Sequence, residues 1–472
     1  MRSSVAKKSN LSLGSFVRFR NSASIEARGS LVRLSRQQVV FEVYNPYSIV
    51  QLSEVLTEVR IMQGERETYQ GRAVVTGLLN TGLMLIVAAS LVDPWSDLKG
   101  LVPGNILRSY VHDFVADWDA SVARLHSDFR LCVGNLGNYL QELRRWLEHW
   151  ETEANIKESS DKEKFVLEFV GDVDSEIAPR LTDLYSQFED ASKSIDRKHE
   201  PFHRAYAQRE LHPIMMCSPF MHRAFTKPLG YAGDFIMVQM MVNQPWEGSN
   251  TFAKLLNASA LRHEAPAAHR NRIKMLHEAL RREAKRSLSE SGTAKVLNIG
   301  CGPAEEVRRF VDEDGEASCT EFVLVDFNKE TLDFVAKNLL PFARQRRPEM
   351  IINTEQRSVH EIIQQSVESK RADAPEYDVV YCAGLFDYFR DTTCGFLLEL
   401  FYSWVKPGGL VLVTNVSPTH SSIAIMQYVL EWNLELRDAA HMATLVPDLG
   451  IQHTYVDQTG VNVFLEIRKP KQ

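Results

Sequence analysis

The run Lys295-Val296-Leu297-Asn298-Ile299-Gly300-Cys301-Gly302-Pro303-Ala304-Glu305-Glu306 has the residue types of a ligand-binding turn. A short apolar strand leads into Gly-x-Gly, and a helix follows. Glycine is needed where backbone must come close to a ligand. A second apolar run, Glu321 to Asn328, carries an acid, Asp326, at its end. An acid placed there can accept both hydroxyls of a ribose. Gly-x-Gly alone would fit several nucleotides or a mere tight turn; with Asp326 it points to an adenosine-bearing ligand. A third cluster is Met221-His222-Arg223-Ala224-Phe225-Thr226-Lys227-Pro228-Leu229-Gly230-Tyr231-Ala232-Gly233-Asp234, which gathers aromatic, basic and acidic groups around two glycines. Asp234 is either the cap of a helix over 235–242 or part of a lid over a ligand. His222 is either structural or a base. Arg270 is either a solvated helix charge or an anion contact through its two-pronged fork.

Positioning these groups takes a particular framework. From Ala294 onward the chain alternates strand, loop and helix, which predicts a parallel sheet covered by helices on both faces. Ligands of such sheets sit beyond the carboxyl ends of the strands. Gln356-Arg357-Ser358-Val359-His360 follows the third strand. Glu376 to Tyr388 reads as the fourth strand and its loop, with Cys382, Ala383, Asp387 and Tyr388 at the far end. Lys406 to Thr414 reads as a turn and the fifth strand. Residues 452–456 and 461–467, joined by Thr459-Gly460, read as an antiparallel hairpin closing the sheet.

This ordered set resembles the class I S-adenosylmethionine-dependent methyltransferases. The resemblance implies S-adenosyl-L-methionine as cofactor, held by Asn298, Gly300, Cys301, Gly302, Asp326, Phe327, Ser358, Val359, Cys382 and Ala383. It places Tyr231, Asp234, His222 and Tyr388 as candidates for catalysis, with Arg270 and Asp387 toward the substrate. One departure stands out: the acid that such proteins often carry at the end of the first strand, for the methionine amino group, is Asn298 here. An amide still accepts a hydrogen bond. The run Lys227 to Asp234, followed by Ala267-Ala268-His269-Arg270-Asn271-Arg272, is similar to bacterial proteins grouped with 3-hydroxypalmitic acid methyl ester biosynthesis, over roughly residues 200–470. That similarity implies O-methylation of a small-molecule or fatty-acid carboxylate. The alternatives are a protein or amine N-methyltransferase, and a non-enzymatic S-adenosylmethionine-binding regulatory protein.

The front of the chain is different. Val39–Tyr44, Glu58–Met62, Tyr69–Thr76 and Leu83–Ala88 read as short strands of a barrel or sandwich, with Gln63-Gly64-Glu65 and Thr81-Gly82 as turns. Arg28 to Phe41 is similar to a PilZ-type barrel, a family that binds cyclic di-GMP. Only Ser35 matches its strand motif; Arg33 replaces the acid and Gln38 the glycine. Arg18, Arg20 and Arg28 could reach phosphates, but cyclic di-GMP is not expected, and interaction or regulation is the reading. Next, Val111, Trp118, Leu125, Cys132, Tyr139, Trp146 and Val115, Val122, Phe129, Leu136, Leu143, Trp150 each recur every seven residues. That predicts one long helix. Phe165 to Ile195 predicts a second, with Ser159-Ser160-Asp161 as its cap and Pro179 within it. The pair is either an intrachain hairpin or a homodimerisation arm. The expected architecture is thus multidomain: a PilZ-like β-barrel (1–103), a helical hairpin (104–200), a helical lid or substrate region (201–291), and an α/β Rossmann-like methyltransferase domain (292–472).

Bulk properties agree. A chain of 472 residues exceeds one domain. A net charge of −7 argues against a broadly basic nucleic-acid surface. The six cysteines form no CxxC pair, so neither a metal site nor a disulfide framework is expected. The N-terminus lacks the apolar core of a signal peptide, and Gly77–Val92 is too short to span a bilayer. A cytoplasmic location is the natural reading.

Overall fold

A computed structural model describes residues 15–44, 50–63, 66–80, 84–93, 111–112, 115–116, 118–119, 122–153, 162–368 and 376–471. The turns at Gly64-Glu65 and Thr81-Gly82 and the cap at 159–161 lie outside the described residues. Contacts gather the chain into two compact units. One holds Met1–His126, Asp196–Ala205 and Leu229–Tyr231; the other holds Ser127–Ile195, Tyr206–Pro228 and Ala232–Gln472.

The first unit is built on a closed antiparallel barrel in the order β1-β2-β3-β6-β5-β4. Its strands are β1 (Phe16–Arg20), β2 (Glu26–Leu34), β3 (Gln38–Tyr44), β4 (Val55–Gln63), β5 (Arg66–Asn80) and β6 (Met84–Leu91). Alternate residues such as Val17, Phe19, Val39, Phe41, Val59 and Ile61 fill the interior, as the two-residue period of a strand requires. Closure leaves no open edge. Ser35 is occupied in the β2–β3 turn, bonding both the N–H and the C=O of Gln38. Arg20 pairs with Glu26 and Glu58, and the Arg28 guanidinium lies 3.8 Å from the Phe16 ring centroid.

The helical hairpin differs from the sequence expectation in two ways. The first helix does not run unbroken from Val111. A turn occupies 123–126, where the His126 N–H donates to His203 Nε2 at 3.0 Å; α1 then spans Ser127–Glu153 and α2 spans Lys162–Lys193. The buried stripe of α1 is Phe129, Val133, Leu136, Leu140 and Leu147, whereas Trp146, from the expected seam, is 51% exposed. The Phe129–Leu136 series is therefore core, while Cys132-Tyr139-Trp146 gives way to its neighbours Val133-Leu140-Leu147. The two helices pack against each other, Phe129 on Phe188 at one end and Trp150 stacked on Phe169 at the other. Within the chain the two helices form an antiparallel pair.

Shorter helices follow: α3 (Glu200–Met215), α4 (Pro219–Thr226), α5 (Phe235–Asn243), α6 (Thr251–Arg262) and the long α7 (Glu264–Ser291). Residues of α1 to α6 and 424–430 share one apolar core. The sheet then forms in the order β12-β13-β11-β10-β7-β8-β9. Its strands are β7 (Ala294–Ile299), β8 (Thr320–Asp326), β9 (Ile351–Gln356), β10 (Tyr377–Cys382), β11 (Val405–Val416), β12 (Ile451–Val456) and β13 (Asn462–Arg468). Strands β7 to β11 pair in parallel, and β13 runs antiparallel between β11 and β12. One face packs against α7, α8 (Glu305–Glu313) and α9 (Lys329–Arg346). The other packs against α10 (Val359–Glu368), α11 (Asp391–Trp404) and α12 (Ala439–Thr444). The expected fold class, barrel, central helices and α/β sheet, is the observed one. Strand order reverses between β7 and β10, so the crevice at their carboxyl ends is where a ligand belongs.

The stripe of α1 makes a direct test. Replacing buried Leu140 by Ala should lower unfolding free energy by about 3 kcal/mol, while the same change at exposed Leu131 should leave the denaturation midpoint near that of the unaltered chain. Equal effects would contradict the register.

Candidate active site

The turn after β7 is held by its left-handed backbone and by bonds to the end of β8. Gly300 and Gly302 have φ of 71° and 53°, and Ala304, the residue before α8, also lies in the left-handed region at 53°. A side chain disfavours that conformation, so glycine suits the first two positions. The Gly300 and Cys301 N–H groups donate to Val325 O at the end of β8. The Gly302 N–H donates to Asp326 Oδ2 at 3.1 Å, and the Asn328 N–H to Asp326 Oδ1 at 2.9 Å. Asp326 is buried, and burial pushes its carboxyl up to about 6.

Asn298 ends β7 inside a buried polar knot. Its Nδ2 donates to Tyr381 Oη at 2.8 Å and to Glu306 Oε1 at 3.2 Å, and the Tyr381 hydroxyl donates to the same Glu306 oxygen at 2.7 Å. Glu306 comes from the first turn of α8 and lies on the wall of a cavity that also touches Asn298, Gly300, Cys301 and Gly302. Burial raises its carboxyl above the usual range. Sequence reasoning passed over Glu306. An acid in the first helical turn is ordinarily read as a partner of the helix dipole.

The far side of the cavity is the loop after β10. Ala383, Gly384, Asp387 and Tyr388 line it. Asp387 Oδ1 accepts the Val416 N–H at 2.7 Å, and burial, opposed by Arg272, pushes this carboxyl up to about 6. Tyr388 Oη donates to Ala232 O at 3.1 Å and accepts from Trp432 Nε1 at 2.9 Å. Arg437, 1% exposed, fixes the loop by donating to Phe386 O, Phe389 O and Asn415 Oδ1 and pairing with Asp391. Gly384, at φ 86°, brings backbone against the Arg272 guanidinium: a Cβ there would sit 2.9 Å from Arg272 Nη1.

Arg272 is the cavity's guanidinium. It reaches in from α7 and donates to His269 Nδ1 at 2.8 Å. Among the described residues no carboxylate pairs with it. Burial lowers its pKa, partly offset by Asp387, Tyr388 and Glu306. The remaining wall is largely apolar, with Phe220, Met221, Val238, Met241, Met426 and Trp432 among its members.

The candidate residues from the sequence therefore divide. Asn298, Gly300, Cys301, Gly302, Ala383, Asp387 and Tyr388 come together on one cavity. Asp326 joins them through Gly302. Phe327 follows Asp326, and Ser358 and Val359 lie at the start of α10. There Ser358 forms a capping box with Glu361. Cys382 is buried below Ala383, and burial raises both its thiol and that of Cys301. Four residues lie elsewhere. Arg270 donates to Met241 O and Leu261 O at the ends of α5 and α6, so its guanidinium is engaged away from the cavity, which Arg272 lines instead. Asp234 caps α5 and binds Arg223 through both oxygens. His222 is exposed on α4. Tyr231 groups with the first unit, where its neighbour Gly230 accepts the Val55 N–H.

No family model matches the chain, and no curated protein matches it. Solved structures do. A protein described as a possible exported protein of Bordetella parapertussis is 18% identical, with 53% of this chain and 86% of that chain covered and a TM-score of 0.41. Magnesium protoporphyrin IX methyltransferase from Synechocystis, with bound S-adenosylhomocysteine, is 8% identical, with 44% and 85% covered and a TM-score of 0.32. The N-methyltransferase NodS from Bradyrhizobium japonicum, in complex with S-adenosylhomocysteine, is 16% identical, with 42% and 87% covered and a TM-score of 0.28. At these scores the fold rests on the strand order and register described above.

Proposed function

We propose that this chain is an S-adenosylmethionine-dependent methyltransferase that esterifies the carboxylate of a small, largely apolar acceptor. The observation that carries the reading is Asp326, a buried acid tied by the Gly302 N–H to a glycine turn at the switch point of the sheet. The residues fit the cofactor group by group. Asp326 suits the ribose hydroxyls. The Gly300–Gly302 turn admits backbone close to the ligand. Glu306, bonded to Asn298, supplies the carboxylate that β7 lacks and suits the methionine ammonium. Bound there, the cofactor supplies a sulfonium methyl group for in-line displacement.

The chain's own part is to bind, orient and exclude water. Arg272, with no paired carboxylate among the described residues, suits the acceptor's anion. The apolar wall keeps the acceptor dry. A carboxylate nucleophile needs no base. A second reading, N-methylation of an amine, is favoured by Asp387: an acid pushed up to about 6 on the cavity wall could take a proton. The barrel serves interaction or regulation in either case.

Titration calorimetry with S-adenosylhomocysteine tests the reading. Micromolar binding that is lost in Asp326→Ala is expected; absence of binding by the unaltered chain contradicts it. Ribose hydroxyls need the ionised carboxylate, so affinity should weaken as pH falls through about 6, by about tenfold from about pH 7 to about pH 5.

Glu306 has its own test. Removing the amino group from the ligand should cost the unaltered chain about tenfold in affinity. The same deletion should cost Glu306→Gln little. An equal loss in both proteins would place the ammonium elsewhere.

A further inference from the structure

The barrel carries a charge pattern that methyl transfer does not use. Across β2, β1 and β4 the register sets Arg18 directly opposite Arg28 on one side and Arg60 on the other. Their neighbours Val17, Phe19, Ala27, Val59 and Ile61 pack into the barrel interior. Strand alternation therefore sends the three arginines outward, and all three are exposed. Cross-strand neighbours stand about 5 Å apart, so the face holds a line of three guanidiniums about 10 Å long. Like charges placed directly opposite destabilise a sheet, and a carboxylate alongside is the usual remedy. The next row has one: Arg20 pairs with Glu26 and Glu58. Among the described residues no carboxylate pairs with Arg18, Arg28 or Arg60. Two of them are steadied by an aromatic ring instead. The Arg28 and Arg18 guanidinium carbons lie 3.8 and 5.3 Å from the Phe16 ring centroid. Stacking orders them and leaves their N–H forks free to meet an anion.

The spacing says which anion fits. On a helix, side chains three and four residues apart stand about 5–6 Å from each other, close to the interval along the arginine row. On an extended peptide, side chains of one face stand about 6.6–6.8 Å apart, and the mismatch grows along the row. A carboxylate takes an arginine fork through both oxygens. The outer face of a barrel is convex, so a straight helix laid across the strands reaches this row and little beyond it. The flanking rows narrow the choice further. Phe16 and Met62 lie opposite each other in one, both half-buried; Glu26 and Glu58 flank Arg20 in the other. A helix that brings acids to the arginines thus turns apolar residues toward Phe16 and Met62. An anionic bilayer fits less well. Each arginine strengthens such attachment only about fivefold, and the two glutamates and the net charge of −7 oppose it.

We propose that the outer face of β2, β1 and β4 docks a helix of a protein partner, one that carries acidic residues in a line at i, i+4 and i+7 with apolar residues along one side. Arg18 is the centre of the contact, and Arg28 and Arg60 are its ends. The inference concerns the barrel alone and is independent of the methyl-transfer reading.

The test uses the full chain and fluorescently labelled, alanine-based helical peptides, with binding read by anisotropy. One peptide carries glutamates at i, i+4 and i+7 beside a stripe of leucines. A second has the same composition with the glutamates spread around the helix. The first should bind about tenfold tighter than the second at low salt, and the preference should shrink as salt is raised. Arg18→Glu should abolish it. The same variant should instead prefer a peptide whose central glutamate is replaced by lysine. A misfolded barrel would not gain that reversed preference, so the exchange separates loss of the contact from loss of the fold. Equal binding of the two glutamate peptides, no binding of either, or a preference that survives Arg18→Glu overturns the proposal. So does Arg18-dependent binding of phosphatidylglycerol vesicles or of cyclic di-GMP with no preference between the peptides.

Discussion

The hydrogen bond from the Gly302 N–H to the Asp326 carboxylate is the constraint on which the site depends. It ties the turn after β7 to the end of β8, and the neighbouring bonds from Gly300 and Cys301 to Val325 make the tie three-fold. To make it, the turn adopts left-handed backbone at Gly300, Gly302 and Ala304. The acid is buried at a cost that shows as its raised pKa. A fold gains little by burying a carboxylate whose backbone donors, the N–H groups of Gly302, Phe327 and Asn328, only partly offset its burial. A ligand presenting further donors would recover that cost, so the strain and the buried charge make sense as preparation for binding.

A second layer of support holds the opposite wall. Arg437 consumes its guanidinium on carbonyls of the 386–389 loop, which presents Asp387 and Tyr388. Tyr381, on β10, links β7 and α8 at once through Asn298 and Glu306. The departure at Asn298 thus has a physical resolution. The amide keeps the place of the expected acid and holds Glu306, so a carboxyl group is kept at this point of the cavity although its source has moved from strand to helix.

The sheet was legible because its strands are continuous apolar runs punctuated by glycine, and each element agrees with its neighbours. The barrel was legible from two-residue alternation. What the sequence left undecided were choices made by packing between distant segments. Two adjacent apolar series on α1 differ by one position, and only the facing core selects Val133-Leu140-Leu147 over Cys132-Tyr139-Trp146. Arg270 and Arg272 lie roughly 200° apart around one helix; the ends of α5 and α6 claim the first, leaving the second to the cavity. The Lys227–Asp234 run reads as one motif, yet Asp234 is a helix cap while Gly230 bonds to a barrel strand. No local signal separates those fates.

Hydrogen exchange of the full chain, with and without S-adenosylhomocysteine, tests the central claim most directly. The account predicts slowed exchange in 300–306, 326–328 and 383–388, with the barrel strands unchanged. Ligand-dependent protection elsewhere with none at the Gly300–Gly302 turn, or no protection at saturating ligand, would contradict it.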